Sequence, residues 1–240
     1  MDKEQQAKVK RVNKLLVKQF GIPKRNGKLP DPVDMLIATI LSQNTNDNNS
    51  YKAFSNLKER YKNWTELLTE KRSSIEKLIK VAGLGLQKSK AIKEFVTKLY
   101  TDKGKLSLDF VSDLSEQNAI EYLTHFNGVG VKTASCVLLF ALDRNICPVD
   151  THVHRTVNRI GIVKASAPDK TFFLLNDKFP QGIAHQFHTN LIRLGREICK
   201  PTRPNCAICP VLKECNYEDK NFEEAKSYAK RDFMLLDNVG

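Results

Sequence analysis

The stretch Leu123-Thr124-His125-Phe126-Asn127-Gly128-Val129-Gly130-Val131-Lys132-Thr133-Ala134-Ser135 reads as a helix, a tight glycine turn and a second helix. Gly128 and Gly130 can take positive φ and let the backbone approach a ligand closely. The N–H groups that open the second helix have no partner within it and form an anion site that suits a phosphate. An ordinary helix–turn–helix corner has the same pattern, so the glycines alone do not decide a function. Lys132 adds information. It falls in the first turn of an otherwise apolar segment, Val131 to Leu142, where a cation opposes the helix dipole. Partial burial and the dipole both favour the neutral amine, which is the nucleophilic form. Such an amine can attack a sugar C1′ and form a Schiff base. The structural alternative is a surface lysine that snorkels past apolar neighbours.

Helical periodicity extends from this stretch over nearly the whole chain. Asp31-Pro32 reads as an N-cap followed by Pro at the first helical position, opening the apolar stretch Val33 to Leu41. Further helices are predicted at about 46–60, 72–81, 88–101, 115–125, 131–143, 151–161, 168–178 and 183–198. Asn63 followed by Glu66 resembles a capping box. Alternating β-branched runs are nearly absent, so the fold class is all-α. No Gly/Ser or Pro linker splits the chain. The glycine turn has one echo, Gly83-Leu84-Gly85-Leu86, which also precedes a predicted helix. Two copies do not make a solenoid.

The chain has 240 residues, enough for one large domain or two small ones. With 41% hydrophobic and 28% charged residues it can bury a sizeable core, which excludes wholesale disorder. The longest nearly apolar run, Ala134 to Leu142, is nine residues and includes a Ser, whereas a helix needs about 20 to span a bilayer. Met1 to Lys18 is charged throughout and offers no apolar core for a signal peptide.

The formal net charge of +12 points to a polyanionic partner, with nucleic acid first. That charge is concentrated. Residues 1–28 carry nine Lys/Arg against Asp2 and Glu4, and residues 86–105 carry six Lys against Glu94 and Asp102. The tail from Val211 is acidic on balance. Val12, Leu15, Leu16 and Phe20 lie at helical spacing beside the N-terminal run, so part of it is a solvated helix face.

Two further stretches hold candidate functional residues. Pro148-Val149-Asp150-Thr151-His152-Val153 precedes a helical pattern, and Asp150 is placed as its N-cap. A carboxylate there could also orient an amine and stabilise positive charge on a sugar. His152 and His154 are two apart and do not share a helix face, so they are a poor metal pair. Ser42-Gln43-Asn44-Thr45-Asn46-Asp47-Asn48-Asn49-Ser50 is nine polar residues after an apolar helix. It reads either as a loop capped by Asx turns or as a set of amides that can hydrogen-bond base edges.

Four of the six cysteines fall within 17 residues, as Cys199-x6-Cys206-x2-Cys209-x5-Cys215, with Pro201, Pro204 and Pro210 between them. Such thiols suit zinc or an iron–sulfur cluster. The spacing does not choose between them, although a zinc ribbon would show a second C-x2-C about 15–20 residues away. Cys136 and Cys147 sit in apolar surroundings and read as core. Disulfides are the alternative, but nothing else marks the chain as secreted, and free cysteines would fit a reducing intracellular setting.

Taken together these elements resemble the endonuclease III family of DNA repair glycosylases, within the helix–hairpin–helix superfamily. The resemblance runs over roughly residues 30–216 and keeps the family's order. It comprises the polar loop Leu41 to Asp47, the leucine-rich turn Gly83 to Ala91, the hairpin ending at Ala134, the Asp150 segment and the four-cysteine loop. It implies a [4Fe–4S] cluster on Cys199, Cys206, Cys209 and Cys215. It implies a six-helix barrel over 32–143 and a cluster domain formed by 1–31 and 144–216, with double-stranded DNA across the cleft between two helical subdomains and 217–240 as an extension without an assigned role. The expected protein is a monomer that acts on DNA containing a damaged base or an abasic site.

The resemblance also implies a chemistry. Lys132 and Asp150 would be the catalytic pair, removing a flipped-out base, with oxidised pyrimidines first, and cutting the strand by β-elimination. Mismatched thymine or uracil, adenine opposite a lesion, or oxidised purine are alternative substrates, and a non-catalytic DNA-binding module is a further alternative. Asn44 would fill the vacated space, with Leu84 or Leu86 as an apolar wedge, unless those leucines are simply core. Gly128, Gly130, Arg193 and Arg196 would meet DNA. The chain departs from the family pattern at Asn127, where Pro is common, and at Asn44, where Gln is frequent. It also continues past the cysteine loop, where Phe222, Tyr228, Phe233, Leu235 and Leu236 could dock the tail.

Overall fold

The structure, a computed structural model, describes residues 1–25, 28–223 and 234–239. All regular structure among them is helical, as the periodicity requires. The chain divides into two compact units, Met1–Lys24 with Arg144–Asp232, and Arg25–Asp143 with Phe233–Gly240.

The second unit is organised by two short apolar helices. α2 (Pro32–Leu41) starts at Asp31, whose carboxylate accepts from the N–H groups of Val33 at 2.8 Å and Asp34 at 3.2 Å. Pro32 takes the first position, where a missing N–H costs nothing. Every residue of α2 except Asp34 is buried, and burying each large aliphatic side chain contributes about 1.5–3 kcal/mol. α2 packs against α3 (Asp47–Arg60), α5 (Gly85–Lys103) and α7 (Val131–Phe140). α4 (Arg72–Ile79) lies against α3 and α5, and α6 (Glu116–Thr124) against α7. The Asn63 capping box forms, reciprocally with Glu66, but on the 3-10 segment Trp64–Leu68. Asp34, the one residue of α2 that is not buried, accepts from Trp64 Nε1 at 2.5 Å and from Lys58 at 2.9 Å. Arg25 pairs with Asp143 and donates to the Leu139 carbonyl at 3.1 Å, which ties this unit's first residue to the end of α7.

The first unit contains α1 (Lys3–Phe20), α8 (Thr151–Ile160), α9 (Pro168–Asn176), α10 (Ala184–Glu197) and the cysteine loop. α1 buries Val9, Val12, Asn13 and Leu16 against α10 and leaves its basic side outward. Some of that charge is used internally: Arg11 pairs with Glu214 at 3.1 Å, and Lys8 reaches Asn216 Oδ1 at 3.3 Å. α8 and α10 cross closely because residue 195 is Gly. A Cβ there would stand 2.8 Å from His152 Cβ.

The end of the chain belongs to the second unit. Leu235 is fully buried, Met234 and Val239 nearly so, and the Leu235 N–H donates to Asp47 Oδ1 at 3.2 Å. Phe222, expected to dock the tail, is 59% exposed instead. Tyr228 and Phe233 lie outside the described residues. Leu235→Ala should therefore cost about 2–5 kcal/mol and lower the melting temperature by several degrees, as calorimetry would show. An unchanged melting temperature would mean that this segment does not dock.

Candidate nucleic-acid interface and thiol cluster

The hairpin forms as the sequence predicts, between α6 and α7. Gly128 has φ +79°, and a Cβ there would stand 3.0 Å from the Ala91 side chain. Gly130 corrects the sequence reading. Its φ is −93°, which any residue adopts, and nothing lies within 4 Å of where its Cβ would be. Gly128 is thus required by conformation, whereas Gly130 leaves an open approach to the start of α7. No side chain caps α7, so its first N–H groups have no capping partner from a side chain. Lys132 is half-buried in that first turn, and the next residue, Thr133, is already 3% exposed. Asn127, in place of Pro, donates to Glu94 Oε2 at 2.9 Å, so a hydrogen bond to α5 supplies the restraint that the ring would have given. Edge-on contacts of Phe126 with Phe95 and Tyr122, at 5.0 and 5.5 Å, anchor the approach to the turn.

The polar loop is shorter than its nine polar residues suggest, because Asn46 caps α3 and the helix takes over at Asp47. Asn44 is exposed and left-handed, with φ +50°. Asn tolerates that conformation better than most residues. Gln43 turns the other way. Its Nε2 donates to the Gly128 carbonyl at 3.0 Å and to Thr133 Oγ1 at 3.3 Å, linking the loop to the hairpin.

The echo turn behaves differently from the hairpin. Gly83 has φ +69° and Leu84 follows with φ +51°, as the uncapped residue before α5. A left-handed Leu costs roughly 1–2 kcal/mol. Leu84 and Leu86 are 46% and 58% exposed, which removes the core reading of both. Gln43, Leu84, Gln87, Lys88, Asn127 and Gly128 line one open hollow of about 280 Å³.

The lysines of 86–105 do not form a uniform phosphate-binding stripe. Lys93 donates to the carbonyls of Leu67, Leu68 and Glu70 and is a structural cap. Lys103 lies 4.2 Å over the Phe110 ring and Lys98 lies 5.9 Å from the Phe126 ring centre. Lys88 is 2% exposed, and its ammonium donates to the Leu41 and Ala82 carbonyls, both at 2.8 Å. Burial pulls its pKa from the ordinary lysine value down to about 8.

In the first unit Asp150 caps α8, accepting from Val153 N at 2.8 Å. His152 beside it is held below its ordinary pKa, chiefly by burial. Arg193 is a strut. Its Nε pairs with the buried Glu197 at 3.2 Å and its Nη1 donates to the Phe20 carbonyl at 3.1 Å. Arg196 is half-buried near the end of α10.

All four clustered cysteines are free thiols and line one cavity with Arg159, Asn205 and Tyr217. Arg159 Nη1 stands 3.5 Å from Cys199 Sγ and its plane covers the Tyr217 ring at 4.1 Å. Burial pushes the Cys209 thiol up to about 12 and raises Cys215 as well. Among the described residues no three His, Cys, Asp or Glu side chains close on a single point as one metal ion requires. Four thiols around one cavity are a donor set that zinc or an iron–sulfur cluster takes. Cys136 and Cys147 are buried in the core as expected.

The family model for HhH-GPD superfamily base excision DNA repair proteins matches residues 37–181. Endonuclease III of Thermotoga maritima is 35% identical over 204 residues, 84% of this chain and 89% of that protein. The chain belongs to the endonuclease III family. A putative DNA glycosylase of Arabidopsis thaliana is 38% identical over 73% of this chain, which spans 60% of that longer protein. A solved endonuclease III–DNA complex superposes with a TM-score of 0.74 and 25% identity, covering 88% of this chain and 95% of its own.

Within this endonuclease III fold, sequence reasoning missed Gln43 and Lys88. Gln43 lay inside a polar run and Lys88 inside a basic one, and neither setting marks a residue that turns inward. Lys88 has a folded-state pKa below its unfolded value, so the burial penalty is present while the amine is charged and is relieved as pH rises from about 8 toward the ordinary lysine value. The wild-type protein should therefore gain stability relative to Lys88→Met between pH 7 and 10 in denaturant titrations. Parallel pH profiles for the two proteins would contradict the buried ammonium.

Proposed function

We propose that the chain is a bifunctional DNA glycosylase and abasic-site lyase that removes damaged bases, oxidised pyrimidines first. The observation that carries this reading is Lys132, an amine at the uncapped start of a buried helix, directly behind a glycine turn open to a DNA backbone. Uncapped N–H groups of α7 would hold a phosphate. The exposed, left-handed Asn44 would enter the space left by a flipped nucleotide, with exposed Leu84 or Leu86 as the wedge. Arg196 is assigned to the DNA-facing set with them.

In the proposed chemistry the Lys132 Nζ lone pair attacks C1′, the glycosidic C–N bond breaks, and the base leaves with its electron pair and takes up a proton. Asp150 is the carboxylate assigned to stabilise the positive charge that develops on the sugar. Ring opening then gives a protonated imine between Nζ and C1′. Loss of a C2′ proton expels the 3′ phosphate, which is β-elimination, and water releases Lys132. Cys199, Cys206, Cys209 and Cys215 would hold a [4Fe–4S] cluster, which when bound pins the loop that carries them.

Duplexes that each contain a single lesion, incubated with borohydride, test substrate and chemistry together. An oxidised-pyrimidine or abasic duplex should yield a covalent complex that Lys132→Gln abolishes, and Gly130→Ala should fold normally yet bind DNA more weakly. Equal trapping by Lys132→Gln would remove that residue from the mechanism. Cleavage confined to mismatch, uracil, adenine or oxidised-purine duplexes would reassign the substrate, and salt-sensitive binding without cleavage would leave only a DNA-binding module. The purified protein should be yellow-brown and absorb near about 400 nm if the thiols carry iron and sulfide. A colourless protein with stoichiometric zinc would refute the cluster.

A further inference from the structure

Two side chains connect three turns that the proposed chemistry needs in register. Leu41 is the last residue of α2, and its carbonyl is among those that a helix end leaves without an intrahelical partner. Ala82 closes the 3-10 turn that leads into Gly83 and Leu84. Lys88 binds both carbonyls from one ammonium, a placement that the dipoles of both segment ends favour. Two residues beyond Leu41, Gln43 binds the carbonyl of Gly128 and the hydroxyl of Thr133, the neighbour of Lys132. The path Ala82–Lys88–Leu41–Gln43–Thr133 thus joins the wedge turn, the polar loop and the hairpin through four hydrogen bonds of 2.8–3.3 Å.

We propose that Lys88 and Gln43 are positioning residues that lock these three turns into one rigid piece and so fix Lys132 relative to the residues that hold the opened duplex. The proposal rests on the lyase reading above for its effect on rate. Lys88 is no alternative nucleophile, since the residue is 2% exposed and its amine donates to two carbonyls. Nor is the clamp ordinary core packing. A methionine of similar length fills the same space at position 88 but leaves both carbonyls without their donor. A displacement of about 1 Å at a reacting group costs on the order of 100-fold in rate, so a small loss of register is measurable even when DNA affinity is not.

The experiment uses the full chain as wild type, Lys88→Met, Gln43→Met, the double variant and Lys93→Met. Lys93 supplies the control, because it caps carbonyls in the same unit but touches none of the three turns. Single-turnover borohydride trapping on an abasic duplex should slow by ~10- to 100-fold in Lys88→Met and in Gln43→Met, with unchanged affinity for the duplex. The double variant should be little slower than the worse single one, since both break one path. Amide hydrogen exchange should accelerate together at 42–45, 83–86 and 128–131 in both variants, and at none of these in Lys93→Met. Equal slowing in Lys93→Met at a matched loss of melting temperature would overturn the proposal, as would faster exchange confined to the mutated turn. A wild-type protein that forms no adduct would defeat the lyase reading, and the exchange pattern would still decide for or against the clamp.

Discussion

The helix α7 is buried from Thr133 to Phe140, so its position is set by the core and its first turn is the only part that can meet a ligand. That constraint organises the second unit. A helix buried on all sides cannot shift or rotate without losing packing at several positions, and interiors packed at crystal-like density transmit such shifts. Lys132, the single charged residue of α7, therefore stands at a defined depth, half in the core and half out. The turn before it must reverse the chain within a few residues, which requires the positive φ of Gly128. It must also remain unobstructed, which the missing Cβ of Gly130 provides.

Around that fixed point the protein invests stability in exposed, strained features. Leu84 is left-handed and exposed, two properties that oppose folding, and Asn44 is left-handed and exposed as well. Strain of this kind persists where the surroundings over-determine the backbone. Here they do: Lys88 holds the residue two before Leu84, Gln43 holds the hairpin, and Asn127 is tied to Glu94. Lys88 is itself a costly device, since burial disfavours its charge. Its two carbonyl partners recover part of that cost and leave the turns fixed.

The helices were legible in the sequence because their apolar residues recur at helical spacing, and their caps at Asp31 and Asp150 use residue types with a clear local signature. The hairpin was legible for the same reason, along with the four-cysteine loop, whose thiols do gather around one cavity. What could not be read was the direction in which long polar side chains turn. Lys88 and Lys93 look identical to Lys90 in a basic run, yet two of the three cap buried carbonyls. Arg193 looks like Arg196, yet its guanidinium braces Phe20 and Glu197. Such choices depend on which carbonyls tertiary packing leaves open, and those are set by residues distant in sequence. Gly130 shows the converse case: its type was read correctly, but its conformation is ordinary and its contribution is empty space.

The central claim is that one amine, placed by α7, forms the covalent link to DNA. Peptide mapping by mass spectrometry of the borohydride-reduced protein–DNA complex tests it most directly, because every lysine of the wild-type chain competes in the same tube. The account predicts the sugar adduct on Lys132, with trypsin failing to cut after that residue. An adduct on another lysine, or one spread over the exposed lysines, would contradict it.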